Sequence, residues 1–317
     1  MNLRKSVLIK YWILLIFITL SFFAKAQSCV DVVIPSLPYT VSSSTCGEGI
    51  DVGFNNVCNS WGNPGEDLVY SYTTTDESCL LVELSGYQMG AGGVSVTSGC
   101  PGDFSSSCVS SLVSNWDATS VSGTISTQPN TTYYFTVSSE GWTAGCIDFD
   151  FSLSTNCPPP TPGDCLGAIP ICTDYYYEEN APIGSGNYMD NLGLNDCSIY
   201  EMNNSGWYTL TAETDGILNF TLSPLQDDDY DWALFNLTDH TCADLGTNPD
   251  LMVDCNTYGL IGSNGDTGIS TANGGSGTSN GPGDTNGPPF NADLNIQAGE
   301  TYVLFVSNWS GTTNGYE

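Results

Sequence analysis

Basic residues are almost missing from this chain. The 317-residue sequence contains only four, Arg4, Lys5, Lys10 and Lys25, all within the first 25 positions. The 35 aspartate and glutamate residues all follow that segment, together with a single histidine, His240. Lysine and arginine are the residues that bind nucleic-acid phosphates and anionic lipid headgroups. We therefore predict neither nucleic-acid binding nor binding to anionic membranes.

The shortage of histidine and basic residues also limits catalysis. A Ser/His/Asp or Cys/His arrangement could use only His240, there is no HExxH motif, and no lysine or arginine beyond Lys25 could bind an oxyanion. A pair of carboxylates that hydrolyses glycosides is the remaining alternative, with candidates Asp174, Glu178 and Glu179 in "TDYYYEEN". No feature of the sequence marks such a pair, so we predict a non-catalytic protein.

The first residues have the features of a secretory signal. Residues 1–26 begin with basic residues, continue with an apolar stretch from Tyr11 to Ala24, and end in the small-residue pattern Ala24-Lys25-Ala26. The apolar stretch is shorter than the ~18 residues that a membrane span needs. We predict a signal peptide that is cleaved after Ala26, and hence a secreted or cell-surface protein.

The thirteen cysteines agree with export, because secreted chains rich in cysteine normally contain disulfides. Their spacing lacks the repeated CxxC pairs of zinc sites. Spacing does not determine connectivity, and cysteines that are close in sequence are the simplest pairs to propose. These are Cys46 with Cys58, Cys100 with Cys108, Cys165 with Cys172, and Cys242 with Cys255. Since thirteen is odd, at least one cysteine has no partner within the chain.

An internal repeat organises the sequence. Residues 69–85, "VYSYTTTDESCLLVELS", align without a gap on residues 207–223, "WYTLTAETDGILNFTLS", at an offset of 138. Further on, "QPNTTYYFTVSSEGW" from Gln128 aligns on "QAGETYVLFVSNW" from Gln297 at an offset of 169. The second copy therefore has an insertion, which we assign to "GSNGDTGISTANGGSGTSNGPGDTNGPP" and predict to be a surface loop.

The repeat predicts an all-β protein with two tandem antiparallel β-sandwich domains after the signal peptide. Short alternating segments rich in aromatic and β-branched residues recur between turn signals, which is typical of such folds. We place the domains at 27–156 and 164–317, joined by a proline-rich linker at 157–163. After Trp142 the first copy continues into another alternating segment. After Trp309 only "SGTTNGYE" follows, so the second domain is predicted to be truncated before its last strand.

Four aspartates close together suggest a metal site. They lie in "DDDYD" and are followed by the apolar run "WALF", whereas the equivalent turn of the first copy, "MGAGG", has no carboxylate. The fold therefore does not require acids there, and no lysine or arginine is available to neutralise them. Calcium prefers such oxygen ligands. We predict a Ca²⁺ site from Asp227, Asp228, Asp229 and Asp231, with further oxygens from Asp266 or Asn264. The alternative is a solvated acidic turn.

Clustered aromatic residues are candidates for ligand contact. Tyr175, Tyr176 and Tyr177 are consecutive, and Trp142 and Trp309 occupy equivalent positions in the two copies. Flat rings beside carboxylates and amides suit the faces of sugars. Aromatic residues in β-sandwiches more often fill the core or an edge, and the equivalence of the two tryptophans favours such a structural role.

Several segments resemble known secreted modules. The segments "CLGAIPIC", "DDYDWALF" and "GETYVLFVSNWS" resemble a repeat domain of large surface proteins of Bacteroidetes, many of them associated with gliding and type IX secretion. In the first copy, "EDLVYSYT", "GCPGDFSSSC" and "NTTYYFTVSS" resemble the pre-peptidase C-terminal type of β-sandwich. The resemblance implies jelly-roll or CUB-like sandwiches without catalytic activity, in a multidomain adhesin-like or enzyme-accessory protein.

We therefore predict a secreted, non-catalytic binding module of the cell surface that is stabilised by disulfides and calcium. Its partners would be an extracellular glycan or a protein surface, and further domains of the same polypeptide would follow. The alternative is the accessory region of a larger secreted protease or glycoside hydrolase, with carbohydrate binding as one role for that region.

Overall fold

The computed structural model describes residues 29–50, 52, 58, 65–88, 92–103, 106–113, 118–139, 145–192, 197–199, 204–259 and 265–317. The predicted signal peptide, Trp142 and Asn264 lie outside these residues. The described part of the chain is all-β: it has no α-helix, only four 3-10 turns at Cys165–Gly167, Cys242–Asp244, Pro249–Leu251 and Thr271–Asn273. Within these ranges we find no apolar helix of the length that a membrane span requires.

The first half of the chain forms two facing sheets, with strand orders β1-β3-β8-β5-β6 and β2-β9-β4-β7. Side chains alternate between the core and the surface, as in β4, where Leu80, Val82 and Leu84 are fully buried while Glu83 is exposed. Burying each such side chain stabilises the fold by about 1.5–3 kcal/mol. The strands are β1 Val32–Val33, β2 Tyr39–Ser44, β3 Asp67–Thr73, β4 Cys79–Ser85, β5 Gly92–Thr97, β6 Cys108–Val113, β7 Ser120–Ser126, β8 Thr132–Ser139 and β9 Asp148–Ser154.

The second half is built around one six-stranded sheet of order β10-β12-β21-β15-β16-β18, accompanied by smaller sheets β11-β22, β13-β20 and β14-β17-β19. Its strands are β10 Ile169–Pro170, β11 Glu178–Asn180, β12 Ser205–Thr211, β13 Gly216–Leu218, β14 Phe220–Leu222, β15 Tyr230–Asn236, β16 Met252–Asn256, β17 Thr267–Ile269, β18 Ser279–Asn280, β19 Phe290–Asn291, β20 Leu294–Ile296, β21 Thr301–Asn308 and β22 Asn314–Tyr316.

The six-stranded sheet is buried on both faces. On one face Trp207, Phe235 and Phe305 pack together beneath the loops that carry Cys197 and Leu245. On the other face, Trp232, Leu234 and Val306 pack against residues of the smaller sheets, including Leu222 and Ile269. This double burial explains why β15 reads as an almost continuous apolar run rather than as a strict alternation.

Strand pairing follows the sequence repeat. Val69 lies opposite Thr136 in the first half, and Trp207 lies opposite Phe305 in the second, which reproduces the offsets of 138 and 169. The pairing of β5 with β8 matches that of β15 with β21 in the same way. Both halves also begin with a short strand parallel to the next one, β1 on β3 and β10 on β12.

The disulfides differ from every pair that we proposed from the sequence. Four close loops in the first half and two in the second, with 50 to 100 residues between the bonded cysteines. Two of the bonds extend pairings between strands that are distant in sequence. Cys46–Cys146 lies beyond the Ser44–Asp148 end of the β2–β9 pair, and Cys79–Cys157 lies at the Leu81–Ser154 end of the β4–β9 pair. The bonds are Cys29–Cys100, Cys46–Cys146, Cys58–Cys108, Cys79–Cys157, Cys165–Cys242 and Cys197–Cys255. Cys172 is free and exposed, as the odd count required.

A strand follows Trp309, contrary to our expectation. Residues Asn314–Tyr316 pair antiparallel with Glu178–Asn180, and Ser223 exchanges two backbone hydrogen bonds with Glu317 at 2.8 and 2.9 Å. The segment therefore lies between β11 and the end of β14, as β9 lies between β2 and β4 in the first half. The segment consists mainly of glycines and polar residues, so its sequence lacks the alternating apolar residues that predict a strand.

Most of the described residues of the insertion are exposed, as we predicted for a surface loop, but it also contributes strands β17 and β18 and leads directly into β19. Buried asparagines on β16, β18 and β19 hold it in place. The side-chain amides of Asn256 and Asn280 each donate to Asn291 Oδ1 at 2.6 Å. Asn291 Nδ2 in turn donates to the Cys255 carbonyl at 2.9 Å and to Asp254 Oδ1. These strands are held by an amide network rather than by apolar side chains, so the sequence shows no apolar pattern that predicts them.

Asp254, at the end of this network, should make stability depend on pH. The residue is buried, its Oδ2 has no hydrogen-bond partner among the described residues, and burial raises its pKa to about 7 despite hydrogen bonds that lower it. A raised carboxyl pKa favours folding at low pH and disfavours it as pH rises toward 7. Ionisation of Asp254 should lower the unfolding free energy of the wild-type protein by on the order of 2–4 kcal/mol between pH 4 and pH 8. We expect Asp254→Asn to lack this decrease.

Urea denaturation of both proteins across that pH range would measure the effect. Asp284→Asn, in an exposed turn of the insertion, is the control and should keep the wild-type pH dependence. Burial also raises the pKa of Asp190 to about 7, so part of the dependence should persist in Asp254→Asn. Equal pH dependence in Asp254→Asn and wild type would contradict the assignment.

The two halves contact each other through the segment 187–191. The Met189 amide donates to the Thr124 carbonyl at 2.8 Å, and the Met189 side chain packs against the core of the first half. Asn191 Nδ2 donates to the Cys108 carbonyl at 3.0 Å. Gln128 also donates to Asp244 across the same boundary.

Candidate functional site

The structure divides the four clustered aspartates between different environments. Asp227 is exposed, and Asp228 is buried and accepts a hydrogen bond from Asn314 Nδ2 at 2.7 Å. Asp229 and Asp231 are half-buried. Because side chains alternate along an extended chain, these two carboxylates lie on the same face of the sheet. Only this pair is brought together as a possible site.

Asp231 belongs to a row of polar side chains that ends the apolar core. It lies opposite Ser307, which lies opposite Ser205, one pleat beyond the core residues Trp207 and Phe305. Ser205 is fully buried, and its Oγ has no hydrogen-bond partner among the described residues. We call Ser205, Ser307, Asp229 and Asp231 the polar row. Neither serine is marked by a motif in the sequence, although the repeat offset of 138 aligns Ser205 with an aspartate of the first copy.

The aligned aspartate, Asp67, lies in the equivalent row of the first half. Asp67 lies opposite Ser138, which lies opposite Gly93, the position equivalent to Asp231. Asp67 is buried, and its Oδ2 accepts a hydrogen bond from the backbone amide of Val52 at 3.0 Å. Both halves thus place an acid in this row, but on different strands. In the first half, a backbone amide compensates the acid.

Ionisation of both Asp229 and Asp231 is electrostatically unfavourable. Burial raises the pKa of Asp229 to about 6. Burial, and then the charge of Asp229, raise the pKa of Asp231 well above its usual value. The Asp229 carboxylate also lies directly against Gly259, where any side chain would overlap it. A proton or a cation would relieve this repulsion, since no lysine or arginine follows Lys25.

The remaining predicted ligand is not gathered into this arrangement. Asp266 is exposed at the start of β17, and Asn264 lies outside the described residues. Within the described ranges there is no group of three or more histidine, cysteine, aspartate or glutamate side chains suited to a metal ion. Any cation held here would therefore depend on two carboxylates together with hydroxyl or carbonyl oxygens and water.

The three consecutive tyrosines have separate roles. Tyr175 and Tyr177 are 62% and 51% exposed, and the Tyr175 hydroxyl donates to Glu317 at 2.7 Å. Tyr176 packs edge-on against Tyr208 and donates to Glu178 at 2.7 Å, so it is part of the fold. Trp309, for which we favoured a structural role as core or edge filling, is 56% exposed.

His240, the only histidine, is exposed and lies 3.7 Å from Asp244, four residues along the chain. Cys242, which lies between them in sequence, is bonded to Cys165. His240 thus lies in a polar loop beside a disulfide.

Comparisons with known proteins give distant likenesses only. No protein-family model matches the chain, and no curated protein sequence matches it. Tripeptidyl peptidase 2 is similar over 90% of this chain and 23% of its own length, at 8% identity and a TM-score of 0.25. The CUB1-EGF-CUB2 domains of rat MASP-1 match at 9% identity and a TM-score of 0.20, covering 90% of this chain and 97% of theirs.

The CUB1-EGF-CUB2 domain of human MASP-1/3 is similar at 11% identity and a TM-score of 0.19, covering 89% of this chain and 97% of that one. The chain thus spans less than a quarter of the peptidase and nearly all of the two CUB-domain chains. At these TM-scores the likenesses carry no functional argument.

Proposed function

We propose that this chain is an extracellular, non-catalytic binding module of two tandem jelly-roll or CUB-like sandwiches, of the kind found in Bacteroidetes surface proteins. The observation that carries the proposal is the all-β frame with six disulfides, since disulfides persist in oxidising compartments. The repeated sheet topology supports the assignment of two tandem sandwiches. The single exposed histidine supports a binding role over a catalytic one.

Export and thiol content test the extracellular part together. We expect a chain expressed with its own residues 1–26 to leave the cytoplasm and to begin at Gln27 by N-terminal sequencing. Thiol titration of the denatured protein should then detect one free thiol, that of Cys172. Retention in the cytoplasm, or several free thiols in the exported protein, would contradict the proposal.

The polar row is the calcium site of this proposal, with Asp229 and Asp231 as its carboxylate ligands. Calcium takes oxygen ligands, and extracellular sites of modest affinity are filled at millimolar calcium. Ser205 supports the assignment, because its buried hydroxyl has no other partner among the described residues. The ion would neutralise the pair as the Val52 amide compensates Asp67 in the first half.

Thermal unfolding in calcium and in EDTA tests this site. At a calcium concentration tenfold above Kd, binding should add about 1.4 kcal/mol of stability, which raises Tm by several degrees. The double variant Asp229→Asn, Asp231→Asn should be more stable than wild type in EDTA at pH 8, because two repelling charges are removed, and should not respond to calcium. Asp227→Asn, at an exposed position, is the control and should respond as wild type does.

A wild-type Tm that is identical in millimolar calcium and in EDTA would contradict the calcium site and favour the alternative, a solvated acidic turn. A calcium response that survives in the double variant would place the ion elsewhere.

A further inference from the structure

The outer face of the sheet β2-β9-β4-β7 forms a concave surface of about 540 Å³. Strand register arranges its outward side chains in two neighbouring rows across all four strands. One row is Ser42, Asp150, Ser85 and Ser120; the other is Thr40, Ser152, Glu83 and Ser122. We call this surface the serine groove. Every side chain in the two rows carries a hydroxyl or a carboxylate.

The two carboxylates lie on the central strands and are held in place by serines. Ser42 Oγ donates to Asp150 Oδ1 across the β2–β9 pair, and Ser152 Oγ donates to Glu83 Oε2 at 2.7 Å across the β9–β4 pair. Each bond uses one of the several acceptor positions of its carboxylate, so acceptor capacity remains on both groups. The groove thus presents oriented acceptors flanked by hydroxyls that can donate or accept.

The composition of this face departs from what a solvent-facing strand favours. Aspartate and glutamate are disfavoured in strands, and long or β-branched side chains normally cover a sheet. Here mostly serines surround Asp150 and Glu83, which leaves the surface open to a ligand. Such departures from local preference are expected at functional sites. The inner face of the same strands is ordinary core, with Leu84 and Phe151 buried.

We propose that the serine groove binds a neutral glycan, an inference that rests on the extracellular binding function proposed above. Two carboxylates without a basic neighbour, in a chain that has no lysine or arginine beyond Lys25, repel anionic polysaccharides. Adjacent hydroxyls of a neutral sugar complement this surface, because they donate to the carboxylates and exchange hydrogen bonds with the serines.

Affinity gel electrophoresis tests this inference with the intact, oxidised chain. Native gels would contain the neutral polysaccharides dextran, laminarin or xylan, or the anionic alginate. We expect at least one neutral polysaccharide to retard the wild-type chain. Glu83→Gln and Asp150→Asn should each weaken the interaction about tenfold or more, because one acceptor oxygen is replaced by a donating amide and the charge that strengthens the hydrogen bonds is removed. Asp148→Asn, on the same face of β9 but outside the two rows, is the control and should bind as wild type does.

Circular dichroism melts would show that the variants remain folded. Retardation that is unchanged in Glu83→Gln and Asp150→Asn would overturn the groove as the site while leaving the binding function intact. Retardation by alginate alone, or by none of the polysaccharides, would overturn the glycan assignment. Adhesion of the labelled chain to whole cells then decides the proposed function separately, because it requires no particular ligand.

Discussion

Replacing Cys46 and Cys146 together by serine is expected to lower the unfolding free energy by about 4–5 kcal/mol. The bond joins residues that are 100 positions apart, the largest separation among the six disulfides. In the chain-entropy model, a loop of that length restricts the unfolded chain most, by about 4.7 kcal/mol. Both cysteines are exposed, so serine fits at either position without a buried polar group. Urea denaturation of the oxidised proteins would measure the difference.

Cys172→Ser is the matched control for that experiment. Cys172 is exposed and forms no disulfide, so its replacement should change the unfolding free energy by less than about 0.5 kcal/mol. The Cys58–Cys108 pair, which closes a loop of 50 residues, should have a smaller effect than Cys46–Cys146. A Cys46/Cys146 double variant as stable as Cys172→Ser would show that the disulfide does not restrain the unfolded chain as the entropy model requires.

Trp207→Ala and Trp232→Ala are each expected to destabilise the fold by about 3–5 kcal/mol. Both side chains are fully buried, on opposite faces of the six-stranded sheet. Trp207 lies 5.0 Å from Phe305 between ring centroids, and Trp232 lies 5.1 Å from Phe220. Removing either ring leaves a cavity that the surrounding strands cannot close, because sheet pairing holds them apart.

Phenylalanine should distinguish the two tryptophans. Trp232 Nε1 donates to Thr267 Oγ1 at 3.0 Å, whereas Trp207 Nε1 has no partner among the described residues. Trp232→Phe leaves Thr267 without its donor in a buried position, while Trp207→Phe removes an unpaired polar group. We expect Trp232→Phe to be less stable than Trp207→Phe by about 1–2 kcal/mol in urea denaturation. The reverse order would show that cavity size outweighs the hydrogen bond.

Local repetition made the strands of this protein predictable. The offsets of 138 and 169 in the sequence correspond to identical strand registers in the two halves, because each strand carries its own pattern of inward-facing residues. The short strand Asn314–Tyr316 and the short strands within the insertion were not predicted, for a shared reason. Both are held by backbone and asparagine hydrogen bonds, which leave no apolar period in the sequence.

The two candidate sites also differ in how far the sequence predicts them. The cluster of four aspartates is visible in the sequence, but only strand alternation selects Asp229 and Asp231 and excludes Asp228, which Asn314 binds. The serine groove has no local signature, since its two rows come from four strands between residues 40 and 152. Spacing along the chain could not bring Glu83 and Asp150 to one surface.

The sequence by itself determined the all-β character, the repeat, the absence of counter-charges for the acids and the presence of an unpaired cysteine. Each of these depends on composition or on a period of a few residues. Tertiary structure decided which cysteines bond, which carboxylates lie together and which face of which sheet is open. Those properties depend on pairing between strands that are 50 to 100 residues apart, as the disulfide separations show. Such pairing is set by the packing of whole sheets rather than by any one segment.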